Sequence, residues 1–297
     1  MFSEVLHGFI LKAGTVVAAL LCIFPCQAAR KEIGIQLYSV RSILNARNYP
    51  ENQAGVFKSL AKMGYTFVEV ANYGNGKFYG VSPEQFRVDV EAAGLKVLSS
   101  HINHGLSKNE YQSGDLTKAM EWWKAAIPAH KAIGVKYMVI PYSPVPTTLS
   151  ELQVYCEYLN AIGKMCAAEG ISFGYHNHSH EFQKVEGVVM YDYLLEHTDP
   201  EYVFFQMDVY WTVVGKAAPV EFFKRYPGRF TLLHVKDYRE VGQSGMVGFD
   251  AIFNNVGIAG TKFFIVEIES SSYGDILRSC RESVGYLKDA KIVKASY

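Results

Sequence analysis

Several ionisable side chains interrupt apolar runs of this sequence, where burial is costly. Asp208 sits in FFQMDVY, His234 in LLHVKD, and Glu267 and Glu269 in FFIVEIE. An unpaired charge inside such a run costs several kcal/mol, so each carboxylate requires a cation or strong hydrogen bonds nearby. Histidines cluster in the same way: His101, His104, His176, His178 and His234, five of the nine in the chain, fall at or just past the ends of such runs. Imidazoles and carboxylates converging on one point make a divalent-metal environment, compatible with zinc, manganese, iron or cobalt. In His176-Asn177-His178 the period-two alternation of a strand turns both imidazoles the same way. Lys236 follows His234 at that interval and is expected to face substrate, an ion pair with Asp237 being its structural alternative.

These residues need a scaffold that brings strand ends together. Short runs rich in β-branched and aromatic residues predict strands at 33–39, 67–72, 97–103, 137–142, 171–177, 203–208, 230–236 and 263–267. Helical stretches alternate with them. Those at 52–63, from Ser82 onward, at 117–133 and at 149–169 end at Gly64, Gly94, Gly134 and Gly170, glycine being a natural helix stop. Ser82-Pro83 opens the second with a capping hydroxyl and a proline in the first turn. Weaker helices are expected at 190–197, 220–226, 250–255 and 274–288. Strand–helix alternation implies parallel strands with right-handed crossovers. Eight such units predict a closed α/β (β/α)8 TIM barrel, with the reactive side chains at the C-terminal strand ends. An open doubly wound sheet is disfavoured, because Tyr38-Ser39-Val40-Arg41 stands where a glycine-rich phosphate loop is expected.

The bulk properties narrow the partners. Lys plus Arg equals Asp plus Glu, 29 each, over 297 residues, so nothing suggests the basic excess of a nucleic-acid-binding surface. Residues 15–24 (TVVAALLCIF) form an apolar run preceded by Lys12 and followed by Pro25-Cys26-Gln27-Ala28. This is the layout of a cleavable secretory signal over 1–28, too short for a membrane span, and it predicts a periplasmic or otherwise exported protein. Lipidation of Cys26 is the less favoured alternative. The domain then runs from 30 to 297, and its Cys156, Cys166 and Cys280 have no disulfide or zinc spacing.

At IGIQLYSVR, GYTFVEVANYG, LSSHIN, GYHNHSHEF, QMDVYW, HVKD and FIVEIE, in that order, the sequence resembles the sugar phosphate isomerase/epimerase family of xylose-isomerase-like barrels. Endonuclease IV is a relative of that family. The resemblance implies one divalent ion (manganese, zinc, magnesium or cobalt) held by His176, Asp208, His234 and Glu267. In the epimerase branch a glutamate stands at the position of His176 and pairs with the eighth-strand glutamate as a second acid/base group. Here Glu181, His178 or Glu69 would have to take that part.

The implied chemistry is enolisation of a keto- or aldo-sugar, the cation acting as Lewis acid. Glu267 is the implied base, Lys236 and His101 would steady the oxyanion, and Glu69, Asn177, His178, Trp211 and Glu269 would contact substrate. Tyr38, Tyr73, Trp211 and Tyr273 could stack on a sugar ring or simply pack. Isomerisation and epimerisation lead the expectations, with dehydration or 3-keto-glycoside cleavage by the same step as the alternative. A non-catalytic sugar-binding barrel and an apurinic-site endonuclease follow. The partner is a neutral small-molecule sugar or glycoside, not a nucleic acid, and a homo-oligomer is allowed.

Overall fold

The computed structural model describes residues 31–295; the expected signal segment lies outside them. Eight parallel strands close into a barrel among the described residues. They are β1 (Ile33–Gln36), β2 (Phe67–Val70), β3 (Lys96–His101), β4 (Tyr137–Ile140), β5 (Ser172–His176), β6 (Val203–Asp208), β7 (Leu232–Lys236) and β8 (Phe263–Glu267). Each pairs with its sequence neighbours, and β1 closes on β8 through Ile33 opposite Phe264. The (β/α)8 expectation is met.

The helices fall where the glycine stops predict. Tyr49–Met63 ends at Gly64, which takes the left-handed conformation at φ 111°. Ser82 accepts from Gln85 N and caps Pro83–Ala92, satisfying one of the orphan donors of the first turn. Helices Thr117–Ala132 and Leu149–Ala168 follow β3 and β4, and Met190–His197, Pro219–Arg225, Phe249–Ala259 and Ile276–Asp289 follow the later strands. Two hairpins, Tyr73–Gly74 with Lys77–Phe78 and Lys184–Val185 with Val188–Val189, were not anticipated. Asn75-Gly76, both at positive φ, is a two-residue hairpin turn whose signal was present in the sequence.

Alternation along the strands divides the core in two. Val68, Phe205, Leu233 and Val266 face outward into the large cluster beneath the helices, where Cys156, Cys166 and Cys280 are buried too. Phe67, Tyr137, Phe204, Leu232 and Ile265 face inward and plug the lower barrel. Phe67 meets Phe263 edge-on at 5.6 Å between centroids, and Tyr137 meets Phe204 at 5.5 Å. Gly174 makes room for this floor, since a Cβ there would stand 2.6 Å from the Phe204 ring. Apolar burial of roughly 1.5–3 kcal/mol per large side chain thus closes the barrel from below. Polar side chains fill the layers above it.

Candidate metal centre and active site

The inward positions above the plug carry the chemistry. On β6 the order is Phe204, Gln206, Asp208; on β7 Leu232, His234, Lys236; on β8 Phe263, Ile265, Glu267. A two-residue period carries each strand from apolar floor to polar rim. Register then sets the ends side by side, with Asp208 opposite His234, Lys236 opposite Glu267 and Gln206 opposite His176.

His176, Asp208, His234 and Glu267, all buried, each bring one ligand atom to within 4.8 Å of the others. His234 Nδ1 lies 3.9 Å from Asp208 Oδ2 and 3.4 Å from Glu267 Oε2. Asp208 Oδ2, His176 Nδ1 and His234 Nδ1 are buried without a hydrogen-bond partner among the described residues. Such atoms are rare and costly in a folded protein, and three of them converge here. Asp208 uses its other oxygen to accept from Trp211 N at 2.8 Å, which holds the carboxylate and leaves Oδ2 pointing at the cluster. Two nitrogens and two carboxylates around one point fit a divalent cation.

The electrostatics agree with that fit. Burial pushes the Asp208 carboxyl up to about 8, with Lys236 opposing and Glu267 adding to the rise. Burial also drives His176 well below the usual imidazole range, and His234 and His101 lower it further. His234 moves upward although burial opposes it, because Glu69 and Glu267 flank the ring. The raised Asp208 carboxyl is a buried acid short of positive charge.

Beneath the cluster lies Glu69, wholly buried. Its Oε1 accepts from Gln36 at 2.8 Å and from His234 Nε2 at 2.6 Å; its Oε2 accepts from Ser99 at 2.6 Å and Gln206 at 2.8 Å. His101 Nε2 also reaches Glu69 Oε1 at 3.0 Å and Gln206 Oε1 at 2.7 Å. Glu69 is therefore the hub that aims two imidazoles. Its oxygens face the interior, and it is not in the lining of the cavity where a substrate contact is expected.

Above the cluster is a cavity of about 340 Å³. His101, His176 and Glu267 line its base, and His178, Glu269, Tyr38 and Tyr142 its walls. Lys236 is buried behind that wall, 3.3 Å from Glu269 Oε2 and near the rings of Tyr210 and Trp211. It does not pair with Asp237, which instead accepts from the amides of Tyr238 and Gly242 and anchors the following loop. Trp211 backs His178 at 5.7 Å between ring centroids.

Two further expected residues lie outside the cavity lining. Asn177 alternates outward, donates to Thr212 Oγ1 at 3.2 Å and accepts from Asp208 N at 3.1 Å, so it ties β5 to β6 instead of contacting substrate. Glu181 is buried under the loop after β5, accepting from Tyr175 at 2.8 Å and His178 N at 2.9 Å. Burial raises its carboxyl above the usual range. Of the three candidates for a second proton-transfer group, His178 is the one that lines the cavity. His104 stacks on Trp122 at 4.4 Å, and Tyr73 packs on Phe78 and His130.

Gln36, Ser99 and Gln206, which complete the Glu69 hub, and Tyr142 on the cavity wall are not among the residues expected from the sequence. A polar residue inside each of IGIQ, LSSH and FFQMD was the available signal.

Comparison with known proteins places this geometry. The family model described as xylose isomerase-like TIM barrel matches residues 57–290. A sugar phosphate isomerase/epimerase of Parabacteroides distasonis is 37% identical, covering 89% of this chain and 100% of that one, with a TM-score of 0.80. A second from the same organism is 34% identical over 94% of this chain and 100% of its own, with a TM-score of 0.81. An inosose dehydratase of Geobacillus kaustophilus is 25% identical over 208 residues, 65% of this chain. The chain spans 63% of that dehydratase's length.

Proposed function

The chain belongs to the xylose isomerase-like TIM barrel family, and from that premise we propose a divalent-cation-dependent enzyme that enolises a neutral keto- or aldo-sugar. A sugar isomerase/epimerase-type activity is what the family and its members support. The observation that carries the cation is the meeting of three buried atoms without a hydrogen bond among the described residues, His176 Nδ1, Asp208 Oδ2 and His234 Nδ1, beside Glu267 at the base of a cavity.

His176, Asp208, His234 and Glu267 would hold the ion. When bound, it supplies Lewis-acid polarisation of the substrate carbonyl. The chain's own residues do the rest. Glu267, at the cavity base, takes the proton from the carbon beside the carbonyl, and His178 in the wall is the group in position to return one. His101 is held by Glu69 and Gln206 and bounds the space beside the reacting oxygen. Lys236, behind Glu269, holds that carboxylate in place. Tyr38 and Tyr142, 44% and 49% exposed, offer ring faces to a sugar.

A neutral sugar or glycoside is favoured over a phosphorylated one. The cavity carries Glu267 and Glu269, and Lys236 beside it is engaged by Glu269. An exported location, read from residues 1–28, accords with a free sugar.

A second reading is elimination. His176 stands where the epimerases use a second carboxylate, so proton removal and return are not symmetric about the substrate. Removal of the C–H proton by Glu267, with departure of a hydroxyl or alkoxyl on the next carbon as water or alcohol, needs only one such carboxylate. The resemblance to inosose dehydratase accords with it.

The test is deuterium incorporation. Protein loaded with manganese, zinc, magnesium or cobalt is incubated in heavy water with free keto-sugars and 3-keto-glycosides. NMR is expected to show exchange beside the carbonyl, and a new alkene proton would mark elimination. Absence of both with every ion overturns the reading.

A further inference from the structure

Next to the reaction cavity, between the ends of β1 and β8, lies a second hollow of about 490 Å³. Both are lined by Glu269, so that residue stands on the ridge between them. The ridge continues through Tyr38, which lines the first cavity, and Arg41, which lines the second; the guanidinium sits over the Tyr38 ring at 4.1 Å. Arg41 donates to Tyr38 O and Glu269 O, both at 2.9 Å. This ties the ridge to both strand ends.

We propose that this hollow is a second ring subsite that takes the leaving portion of a neutral glycoside whose reacting ring occupies the cavity above the cation cluster. The proposal rests on the enolisation reading given above and specifies its substrate class. Its volume lies within the range of small-molecule sites. Its lining mixes hydroxyls, from Ser42, Ser270 and Ser271, with the apolar Ile43 and Leu277. A sugar ring presents the same mixture, hydroxyls around the edge and C–H groups on the faces. Guanidinium N–H groups beyond the two already engaged remain to donate to hydroxyl oxygens.

The charge pattern separates this ligand from a phosphate. Glu269 and Asp275 both line the hollow, against one guanidinium. The second and third amides of helix Ile276–Asp289 are taken, because Asp275 Oδ1 accepts from Leu277 N at 3.0 Å and Arg278 N at 3.1 Å. An anion would meet carboxylates where it needs donors.

The experiment compares a 3-keto-monosaccharide with a 3-keto-disaccharide in the heavy-water exchange assay on cation-loaded protein. The parent is expected to favour the disaccharide at least about tenfold in kcat/KM, by binding energy realised away from the reacting carbon. Ser42→Trp, at an exposed position on the hollow, fills it and is expected to remove that preference while monosaccharide exchange stays at the parental rate. Arg41→Ala is expected to act in the same direction, and a thermal melt of each variant shows whether it is folded. Equal rates on the two substrates, or an undiminished preference in Ser42→Trp, overturns the subsite and leaves the reaction standing. Should neither substrate exchange, the enolisation reading fails. Calorimetric binding of the unoxidised disaccharide then decides the subsite by itself: binding weakened by Ser42→Trp supports it, and no binding or unaltered binding overturns it. Displacement of the disaccharide by inorganic phosphate at similar concentration also overturns it.

Discussion

His234 Nε2 lies 2.6 Å from Glu69 Oε1, while Nδ1 of the same ring faces Asp208 and Glu267. One imidazole thus joins a buried carboxylate on β2 to the His/Asp/Glu cluster on β5 to β8. In the neutral ring, a proton held on Nε2 against Glu69 leaves Nδ1 with its lone pair towards the proposed ion. It also makes the ring a stronger donor.

Glu69→Gln is therefore expected to weaken divalent-cation affinity roughly 10- to 100-fold. Titration calorimetry on chelator-treated parent and variant measures it. Unchanged affinity would show that packing alone orients His234.

Cation binding is expected to stabilise the fold, since it relieves Asp208, His176 and His234 of atoms buried without partners. At a hundred times Kd a ligand adds about 2.7 kcal/mol, or roughly 4–5 °C in Tm for a chain of 297 residues. Melting with manganese or zinc, against chelator, checks this. Asp208→Ala should abolish the increment, and a parent Tm indifferent to cation would remove the proposed centre.

Glu267 and Glu181 are expected to separate chemistry from architecture. Glu267→Gln should slow C–H exchange roughly 10²- to 10⁴-fold at saturating cation, as loss of a general base does. Glu181→Gln, altering a carboxyl hydrogen-bonded under the β5 loop, should leave exchange close to parental and cost about 1–3 kcal/mol of stability. Loss of exchange in Glu181→Gln with its fold intact would return that residue to the mechanism.

His130 should give the fold an acid limit of its own. It is buried against Tyr73 and Phe78, and burial pushes its imidazole down to about 4, the Ala126 carbonyl pulling slightly back. The unfolded chain binds that proton near its ordinary value of 6.5. Its contribution is thus complete above that pH and is lost as pH falls towards 4, by about 3 kcal/mol in all. Urea unfolding at pH 7.5, 5.5 and 4.5 is expected to show a shallower acid loss in His130→Phe. Parallel profiles for parent and variant would contradict it.

Sequence alone determined the eight strands and the contents of their rims. Alternation with a period of two is a local property of an extended chain, so Asp208, His234 and Glu267 could be placed on one face before any closure was known. The same alternation already turned Asn177 away from His176. What only the tertiary structure decided was height along the barrel axis. Glu69 and Glu267 sit in similar apolar strands, FVEV and FFIVE. Yet one lies beneath the imidazoles and the other beside the cavity. Register between distant strands, Gln36 opposite Glu69 and Lys236 opposite Glu267, sets that height. It arises from closing the sheet, which links strand tilt to stagger around the whole ring, and no single strand's residues encode it.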